Sequence, residues 1–433
     1  MLKGFHNLFS FDYQRQGWRT FRFYLNLAAK NLWRHKRRTV LTALAIAVGI
    51  FCYIFLDSML AGMYRDGVNN IINFKTGHIQ LVSASRKPTD DETGNLKNLL
   101  PDGKTLVERA NKIPGVAGAT GRLEFSGTVL NGIDELPVVA VGVAPENDSN
   151  VFHTAKFIKA GRWLRDNENG VVLGQRVAEL LELKPGDTVV LRTQTKQLTF
   201  QAIDLPIVGI VSTPNPEINM SRIFIPLGLA QTVLGTGDAI TRVYLRTMHT
   251  DNLKNVNTSL LKIPCRATVF KLQTWREAAA DYLAYMESER FSDTIFLFIV
   301  FIISVIGIVN TILLAALERV REIGILKAMG MVEKEVVRLF VLEGLGLGLL
   351  GGIVGLSLGI ASNFFLVNVG IDLSAMYGDM DIGFPIADRI YGEWNWPVML
   401  GTLVCGLLIS LLASYFPARK AAKLDPVEGL RKI

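Results

Sequence analysis

Four long apolar stretches constrain this 433-residue chain more than any other feature. They run over residues 39–61, 294–317, 339–369 and 397–416, and their only charged side chains are Asp57 and Glu343. An α-helix needs about 20 apolar residues to cross the ~30 Å hydrocarbon core of a bilayer. Helices of soluble proteins rarely stay uncharged for so long, because one side normally meets water. The sequence therefore predicts a membrane protein with four transmembrane helices.

The polar segment between the first two apolar stretches, residues 62–293, is long enough to form a folded domain. Strand-like and helical patterns follow each other along it, which predicts a mixed α+β domain inserted between transmembrane helices 1 and 2. Strand-like runs lie at residues 77–82, 138–143, 188–192, 207–211, 223–225 and 242–246, and helical spacing at 103–113, 174–183, 227–234 and 251–261. Helical patterns at 63–74 and 274–290 adjoin the spans, so we expect the domain to stand on two helical stalks.

Basic residues predict how the chain is oriented in the membrane. Lys and Arg cluster before the first span, between the second and third spans, and after the fourth. Short cytoplasmic segments carry such an excess, so these three segments are predicted to lie inside the cell. The predicted cytoplasmic segments are 1–38, 318–338 and 417–433, and the predicted extracytoplasmic ones are 62–293 and 370–396. We expect a multi-pass inner-membrane protein of a two-membrane bacterium, with both termini in the cytoplasm and the large domain in the periplasm.

The segment before the first span is predicted to contain an amphipathic helix on the inner leaflet. Apolar residues recur in it at helical spacing, with Arg22 and Lys30 between them: Trp18, Phe21, Leu25, Ala28 and Leu32. A disordered basic tail is the alternative, and it fits residues 1–17 better. No cleavable signal peptide is expected, because this segment has no apolar core and the first span is too long to be one.

Composition excludes several classes of function. The net charge of +7 does not indicate nucleic-acid binding, because the excess charge lies beside the spans and no basic stripe with stacking aromatics occurs elsewhere. Cys265 stands alone in the outer segment, while Cys52 and Cys405 fall in spans, so we expect no disulfide within that domain. The five histidines show no pair at metal-ligand spacing, and no nucleophile, zinc-protease or Walker motif is present. We therefore expect no metal site, no bound cofactor and no catalytic residue in this chain.

The cytoplasmic connection between the second and third spans carries the sharpest pattern. Val320, Ile323, Leu326 and Met329 recur every third residue, and Gly330 can end the helix that they predict. A short amphipathic helix held between two spans can dock into a groove on a cytoplasmic protein. The alternative is that its apolar side lies on the membrane.

The third span carries two overlapping rows of glycines four residues apart. The rows are Gly344, Gly348 and Gly352, and Gly351, Gly355 and Gly359. Small residues at this spacing let helices approach closely in lipid, which favours helix packing over a transport-specific role. A phosphate-binding loop is excluded, since no strand precedes the glycines and the run is apolar throughout.

Several motifs resemble those of one family of membrane proteins. The segment Glu-Arg-Val-Arg-Glu-Ile-Gly-Ile-Leu-Lys-Ala-Met-Gly at 318–330 is similar to the coupling segment of the FtsX/MacB/Lol superfamily of ABC transporter permeases (type VII, mechanotransmission). Further resemblance to that superfamily lies at residues 31–38, 161–163, 170–178, 184–187 and 415–430. The predicted topology is similar as well, with four spans and a large domain after the first.

The resemblance implies a mechanical device rather than an enzyme. Such permeases form homo- or heterodimers on two copies of a separate cytoplasmic ATPase, which binds ATP and Mg. The resemblance implies that the ATPase contacts the coupling segment, in particular Glu318, Arg319, Arg321, Glu322, Ile323, Gly324, Leu326, Lys327, Ala328, Met329 and Gly330. For Glu343 three roles stay open: pairing with Arg338, reaching the inner interface, or coupling movement of the ATPase to the third span. Asp57 is either interfacial or paired.

Among members, the Gly-His-Ile-Gln sequence at 77–80 and the absence of a fused ATPase resemble the lipoprotein-releasing Lol permeases. In that case the first span receives acyl chains in the outer leaflet, with Ile50, Phe51, Ile54, Phe55 and Met59 as the candidate contacts. A periplasmic lipoprotein carrier or adaptor would be a further partner. However, the hairpin expected at 192–205 is polar and short, without a protruding proline-rich hook. The alternatives are a MacB-like export permease for amphiphiles or peptides, and FtsX-like signalling to an envelope enzyme.

Overall fold

The computed structural model describes residues 22–87, 95–248, 260, 270–317, 320–372 and 389–423. The chain divides into two compact units. The membrane unit comprises the chain up to residue 63, residues 288–371, and residues from 390 onward. The outer unit comprises residues 64–287 and 372–389.

The described helices are α1 (22–34), α2 (Lys36–Ile71), α3 (Gly103–Asn111), α4 (Pro145–Val151), α5 (Gln175–Leu180), α6 (Pro216–Ser221), α7 (Leu227–Leu234), α8 (Trp275–Ala278), α9 (Ala280–Leu317), α10 (Val320–Ala328), α11 (Glu333–Asn368) and α12 (Trp396–Ala422). A π-helical turn, Ile72–Thr76, follows α2, and a 3-10 turn covers Thr154–Phe157. The strands are β1 (Ile79–Ser83), β2 (Val116–Leu130), β3 (Glu135–Val143), β4 (Ile158–Gly161), β5 (Val171–Gly174), β6 (Thr188–Gln194), β7 (Phe200–Val211), β8 (Arg222–Pro226), β9 (Arg242–Thr247), β10 (Phe270–Thr274), β11 (Ile371–Asp372) and β12 (Arg389–Ile390).

Within the described ranges, four helices are long and apolar enough to cross a membrane. They are α2, α9, α11 and α12. The predicted fold class is confirmed: the protein has four transmembrane helices, and a mixed α+β domain lies between the first and second. Helix α2 continues past the predicted end of the first span to Ile71, and α9 begins at Ala280, before the predicted start of the second.

The outer unit is built on one mixed sheet that contains ten of the described strands. Its order is β10-β1-β9-β2-β3-β8-β5-β7-β4, and β6 pairs with both β2 and β7. The pairs β3–β8 and β5–β7 are parallel, and the others are antiparallel. Long strand β2 joins two buried apolar cores, one around Leu123, Val171 and Leu205 and the other around Leu81, Leu106 and Leu245.

The sequence analysis does not predict the longest strand, β2. Two features of its sequence explain why. Its first half is buried on both faces, so apolar and polar residues do not alternate. Three glycines also interrupt it, although glycine disfavours strands. The structure shows why they are there: a Cβ on Gly118, Gly121 or Gly127 would lie 2.9 Å or less from side-chain atoms of Asn150, Ile240 or Leu191.

Short elements were missed as well, namely β4, β5, β10 and α4, because runs of four to seven residues are too short for a periodic signal. The predicted strand-like run at 77–82 begins two residues before β1, and the other predicted runs fall within β3, β6, β7, β8 and β9. The helix predicted at 251–261 lies almost wholly outside the described residues.

A buried ion pair crosses the centre of the outer unit. Arg122 on β2 donates from Nε and Nη2 to the two carboxylate oxygens of Asp148 on α4, at 2.7 and 2.9 Å. Both side chains are at most 2% exposed, and the guanidinium carbon of Arg122 lies 3.4 Å from the ring centre of Phe152. Two residues along β2, Glu124 accepts a hydrogen bond from the Tyr244 hydroxyl at 2.8 Å. These contacts tie α4 and β9 to β2.

Candidate coupling and transmission site

Helix α10 covers most of the coupling segment predicted from the sequence. Glu318 and Arg319 lie outside the described residues, and the side chain of Arg321 is not described. The helix ends at Ala328, and Gly330, in the turn that follows, has a φ of +97°. The amide of Met331 donates to the Leu326 carbonyl at 3.1 Å and that of Gly330 to the Lys327 carbonyl at 3.0 Å, the Schellman pattern. A glycine is needed here because side chains strain this backbone conformation.

One side of α10 is fixed to the start of α11 and the end of α12. Ile323 is 2% exposed and forms one apolar cluster with residues of α11 and α12: Val336, Phe340, Ala418 and Ala422. Gly324 is buried beside it. Lys327 Nζ donates to the Ala422 carbonyl at 2.8 Å, close to the end of α12. A displacement of α10 would therefore act on both spans.

The other side of this region is apolar and open. Ile325 is 44% exposed, Met329 72% and Val332 58%. The predicted single apolar side, with Ile323, Leu326 and Met329 together, is therefore wrong. The helix instead divides its apolar residues between the bundle and an open patch, which we define as Ile325, Met329 and Val332. Ala328 is also exposed, while Glu322, Leu326 and Lys327 are half-buried.

Helix α1 packs against the start of the third span. Tyr24 is 6% exposed and Ala28 3%, whereas Leu25, predicted to lie on the same side as Ala28, is 45% exposed. Leu32 approaches α11 so closely that a Cβ added at Gly346 would lie 2.7 Å from its Cδ1 atom. Trp18 and Phe21 lie outside the described residues. Part of the apolar side of this helix is thus buried against protein rather than against lipid.

Glu343 is 6% exposed, and its partner was not foreseen from the sequence. Its Oε1 accepts a hydrogen bond from Asn31 Nδ2 of α1 at 2.6 Å. A carboxylate one turn into a span is costly unless it is paired, and Asn31 provides such a partner. Arg338, the partner considered above, is exposed at the helix surface.

The two glycine rows of α11 face two different spans. A Cβ at Gly344 or Gly348 would collide with Ser410 or Ser414 of α12, and one at Gly352 would lie 2.6 Å from Leu403. The second row meets α2 instead. There the Ala43 and Ala47 carbonyl oxygens would lie 2.6 and 2.7 Å from a Cβ at Gly351 and Gly355, and Ile54 would lie 3.0 Å from one at Gly359. Helix α11 is therefore held between the first and fourth spans.

Two of the five candidate acyl contacts are not available. Ile50 and Ile54 are 3% and 1% exposed, because they pack on the glycine row of α11. The expectation that they face an acyl chain is therefore corrected by their packing. Phe51, Phe55 and Met59 are half-buried, and the rings of Phe51 and Phe55 lie 5.9 Å apart.

A polar cluster joins the outer ends of the spans, where the sequence singled out only Asp57. Asn395 Nδ2 donates to Asp57 Oδ2 at 3.1 Å. The Ser58 hydroxyl, 1% exposed, donates to the side-chain oxygen of fully buried Asn363 on α11. The Glu393 amide donates to the Ser58 carbonyl at 3.1 Å. This cluster fixes α2, near the outer end of the first span, to α11 and to the loop before α12.

The hairpin considered for carrier contact is formed by β6 and β7. Its turn is closed by a hydrogen bond from the Thr195 amide to the Thr199 carbonyl at 2.8 Å. It presents Leu198 and Phe200, which are 68% and 78% exposed. The tip is therefore short, as the sequence indicates, and it exposes two apolar side chains although most of its residues are polar.

Two family profiles match this chain. The profile described as a MacB-like periplasmic core domain matches residues 39–263, and the profile described as an FtsX-like permease C-terminal region matches residues 294–426. Together they cover the first span, most of the outer unit and the three later spans.

Curated relatives align over most of the chain. The lipoprotein-releasing system transmembrane protein LolE of Haemophilus influenzae is 28% identical over 90% of this chain and 93% of its own length. An uncharacterized ABC transporter permease, YknZ of Bacillus subtilis, is 24% identical over 94% of this chain and 98% of its own. The macrolide export ATP-binding/permease protein MacB of Agrobacterium fabrum is 25% identical over 94% of this chain, which corresponds to 60% of that protein.

Proposed function

Because the chain belongs to the MacB/FtsX family of ABC transporter permeases, we propose that it extracts lipoproteins from the outer leaflet of the inner membrane. A separate cytoplasmic ATPase would supply the energy through helix α10. A second permease chain, identical or related, would complete the translocation unit. Relatives of this kind are permease components of ABC transporters, and the chain itself is such a component rather than the ATPase.

The observation that supports the coupling role is that the two sides of α10 differ: one is packed on the spans and the other is open. Its inner side is fixed to α11 and α12 by Ile323 and Lys327. The open patch of Ile325, Met329 and Val332 has the apolar character that a helix presents to a groove in a partner. Force applied to the open side would move the third and fourth spans, because the inner side has little freedom to slide.

The third span then passes the movement to the first. The row of Gly351, Gly355 and Gly359 lies directly against α2, so the two helices cannot shift independently without losing contact. In this proposal Phe51, Phe55 and Met59 contact the acyl chains, since they are half-exposed in the outer half of the first span. Ile50 and Ile54 would act one layer deeper, by holding that surface in place.

Release of lipoproteins is favoured over export because the LolE relative aligns along both chains almost end to end. The MacB relative supports the alternative, export of an amphiphile or peptide. Orientation with both termini inside, and transfer of the cargo to a periplasmic carrier at the β6–β7 hairpin, remain part of the proposal.

The coupling role predicts that a charged side chain placed in the open patch prevents the ATPase from binding. Met329→Asp should abolish co-purification of the ATPase encoded with this chain, because an apolar contact is replaced by a buried carboxylate. Met248→Asp is the matched control, since Met248 is a 66% exposed methionine of the outer unit. An ATPase that co-purifies equally with both variants would refute docking at this patch.

The cargo is tested by isolating the complex from native membranes and identifying bound lipidated material by mass spectrometry. Triacylated lipoproteins that are bound without nucleotide and released by ATP would support extraction. A complex without lipoprotein, whose ATPase activity rises with small amphiphiles or peptides, would replace the proposal with export. The variant Phe51→Ser with Phe55→Ser should then retain the ATPase but lose the lipoprotein.

A further inference from the structure

Helix α1 and the residue that follows it make two contacts with glutamates of α10 and α11. The pairs are Asn31 with Glu343 and His35 with Glu322. Tyr24 and Ala28 of the same helix are buried. Residues 24, 28, 31 and 35 are spaced by four, three and four, so they form one stripe along the helix. The stripe is one continuous surface of α1 that faces α10 and the first turns of α11.

The same helix is joined to the first span without a flexible loop. His35 alone separates α1 from α2. Across this junction the Thr39 amide donates to the His35 carbonyl at 3.0 Å, and the Thr39 hydroxyl donates to the Leu32 carbonyl at 2.8 Å. A displacement of α1 would therefore reach the cytoplasmic end of α2 directly.

Packing alone does not explain why a glutamate stands at position 343, opposite Asn31 of the stripe. An apolar side chain of similar volume would fill the site without the cost of burying a carboxylate. The 2.6 Å hydrogen bond from Asn31 gives the carboxylate a partner on a different helix. Leu32, the next residue, seats against Gly346 and sets the distance between the helices. The polar contact thus fixes where α1 lies along α11.

We propose that Asn31 and Glu343 are positioning residues that make α1 a second route from the coupling helix to the first span. The glycine row connects α11 to the middle of α2, whereas α1 connects α10 and the start of α11 to the cytoplasmic end of α2. The inference rests on the proposed function, because it needs an ATPase that pushes on α10.

The test follows nucleotide-driven movement at the cytoplasmic end of the first span. The full chain, with its three native cysteines replaced by alanine and Leu41→Cys labelled with bimane, is co-purified with its ATPase and placed in nanodiscs. Leu41 is 68% exposed, so a label there should not disturb packing. The readouts are the bimane emission shift on adding ATP and Mg, and the rate of ATP hydrolysis in the same sample.

We expect Glu343→Leu and Asn31→Leu to lose most of the emission shift while ATP hydrolysis continues. The double variant should lose no more than either single variant, because both remove one contact. Glu343→Gln keeps an oxygen that can accept a hydrogen bond from Asn31 Nδ2, so we expect it to retain the emission shift. If the negative charge of Glu343 were the cause instead, Glu343→Gln would lose the shift. Glu333→Leu, which removes an exposed glutamate from the same helix, should behave like the parent.

An unchanged emission shift in Glu343→Leu and Asn31→Leu would overturn the inference, as would additive losses in the double variant. A parent complex whose label does not respond to nucleotide would overturn it too, since no movement would reach this end of the span. Failure of the ATPase to co-purify with the parent is a separate result, and it refutes the proposed function instead.

Discussion

Replacing one glycine of the third span tests whether close contact between α11 and α2 holds the membrane unit together. In Gly355→Ala the new methyl group would lie 2.7 Å from the Ala47 carbonyl oxygen, 2.9 Å from its Cα and 3.0 Å from the Ile50 Cβ. Two of these three atoms belong to backbone, which cannot turn aside as a flexible side chain can. The helices would therefore have to separate by roughly 0.5 Å, and a gap of that size already loses about a quarter of the dispersion energy of each contact.

Overpacking of this kind costs about 1–3 kcal/mol. Alanine also favours a helix over glycine by up to ~1 kcal/mol, and this gain must be subtracted. Gly307→Ala in α9 serves as the control, because nothing lies within 4 Å of a Cβ there. The difference between the two variants should then report the overpacking alone, about 1–3 kcal/mol, or roughly a five- to more than hundredfold change in the unfolding equilibrium.

The assay is unfolding in mixed micelles of a mild detergent and SDS, followed by far-ultraviolet circular dichroism. We expect Gly355→Ala to unfold at a lower SDS fraction than Gly307→Ala, with a similar slope. Equal midpoints for the two variants would contradict the reasoning, because they would mean that the contact between α11 and α2 can relax without cost.

Two further predictions concern the outer unit. Asp148→Asn should destabilise it by about 3–5 kcal/mol in thermal unfolding, because buried Arg122 loses its charged partner; Glu135→Gln, which breaks an exposed pair, should cost at most about 1 kcal/mol. Burial opposes ionisation of Glu124, but the adjacent guanidinium groups, that of Arg222 foremost, outweigh it and lower its pKa from 4.5 to about 2. A depressed carboxyl pKa stabilises the fold above pH ~4.5, and this stability is lost as the pH falls toward 2, so the melting temperature should drop over that range and drop less in Glu124→Gln.

The sequence was most informative where a single physical requirement acts on many consecutive residues. Hydrocarbon excludes charge over a whole span, so the four transmembrane helices could be found without any knowledge of packing. Glycines spaced by four indicated close helix approach, and Gly330 marked the end of α10 because its backbone conformation favours glycine. Each of these signals is local along the chain.

The outer unit was harder to predict, because its strands depend on partners far away in sequence. Strand β2 pairs with β3, β6 and β9, and its glycines are explained only by side chains from those regions and from α4. Its burial on both faces removed the alternation by which a strand is recognised.

The candidate site shows the same division. The sequence by itself determined which segment forms the coupling helix, which residues can enter the membrane and which span is rich in glycine. Only the tertiary structure decided that Ile323 faces the bundle while Met329 is open, that Ile50 and Ile54 are buried, and that Glu343 bonds Asn31. The physical reason is that composition and periodicity report the preference of a residue for water or hydrocarbon, whereas the neighbour that it meets depends on how separate helices are packed.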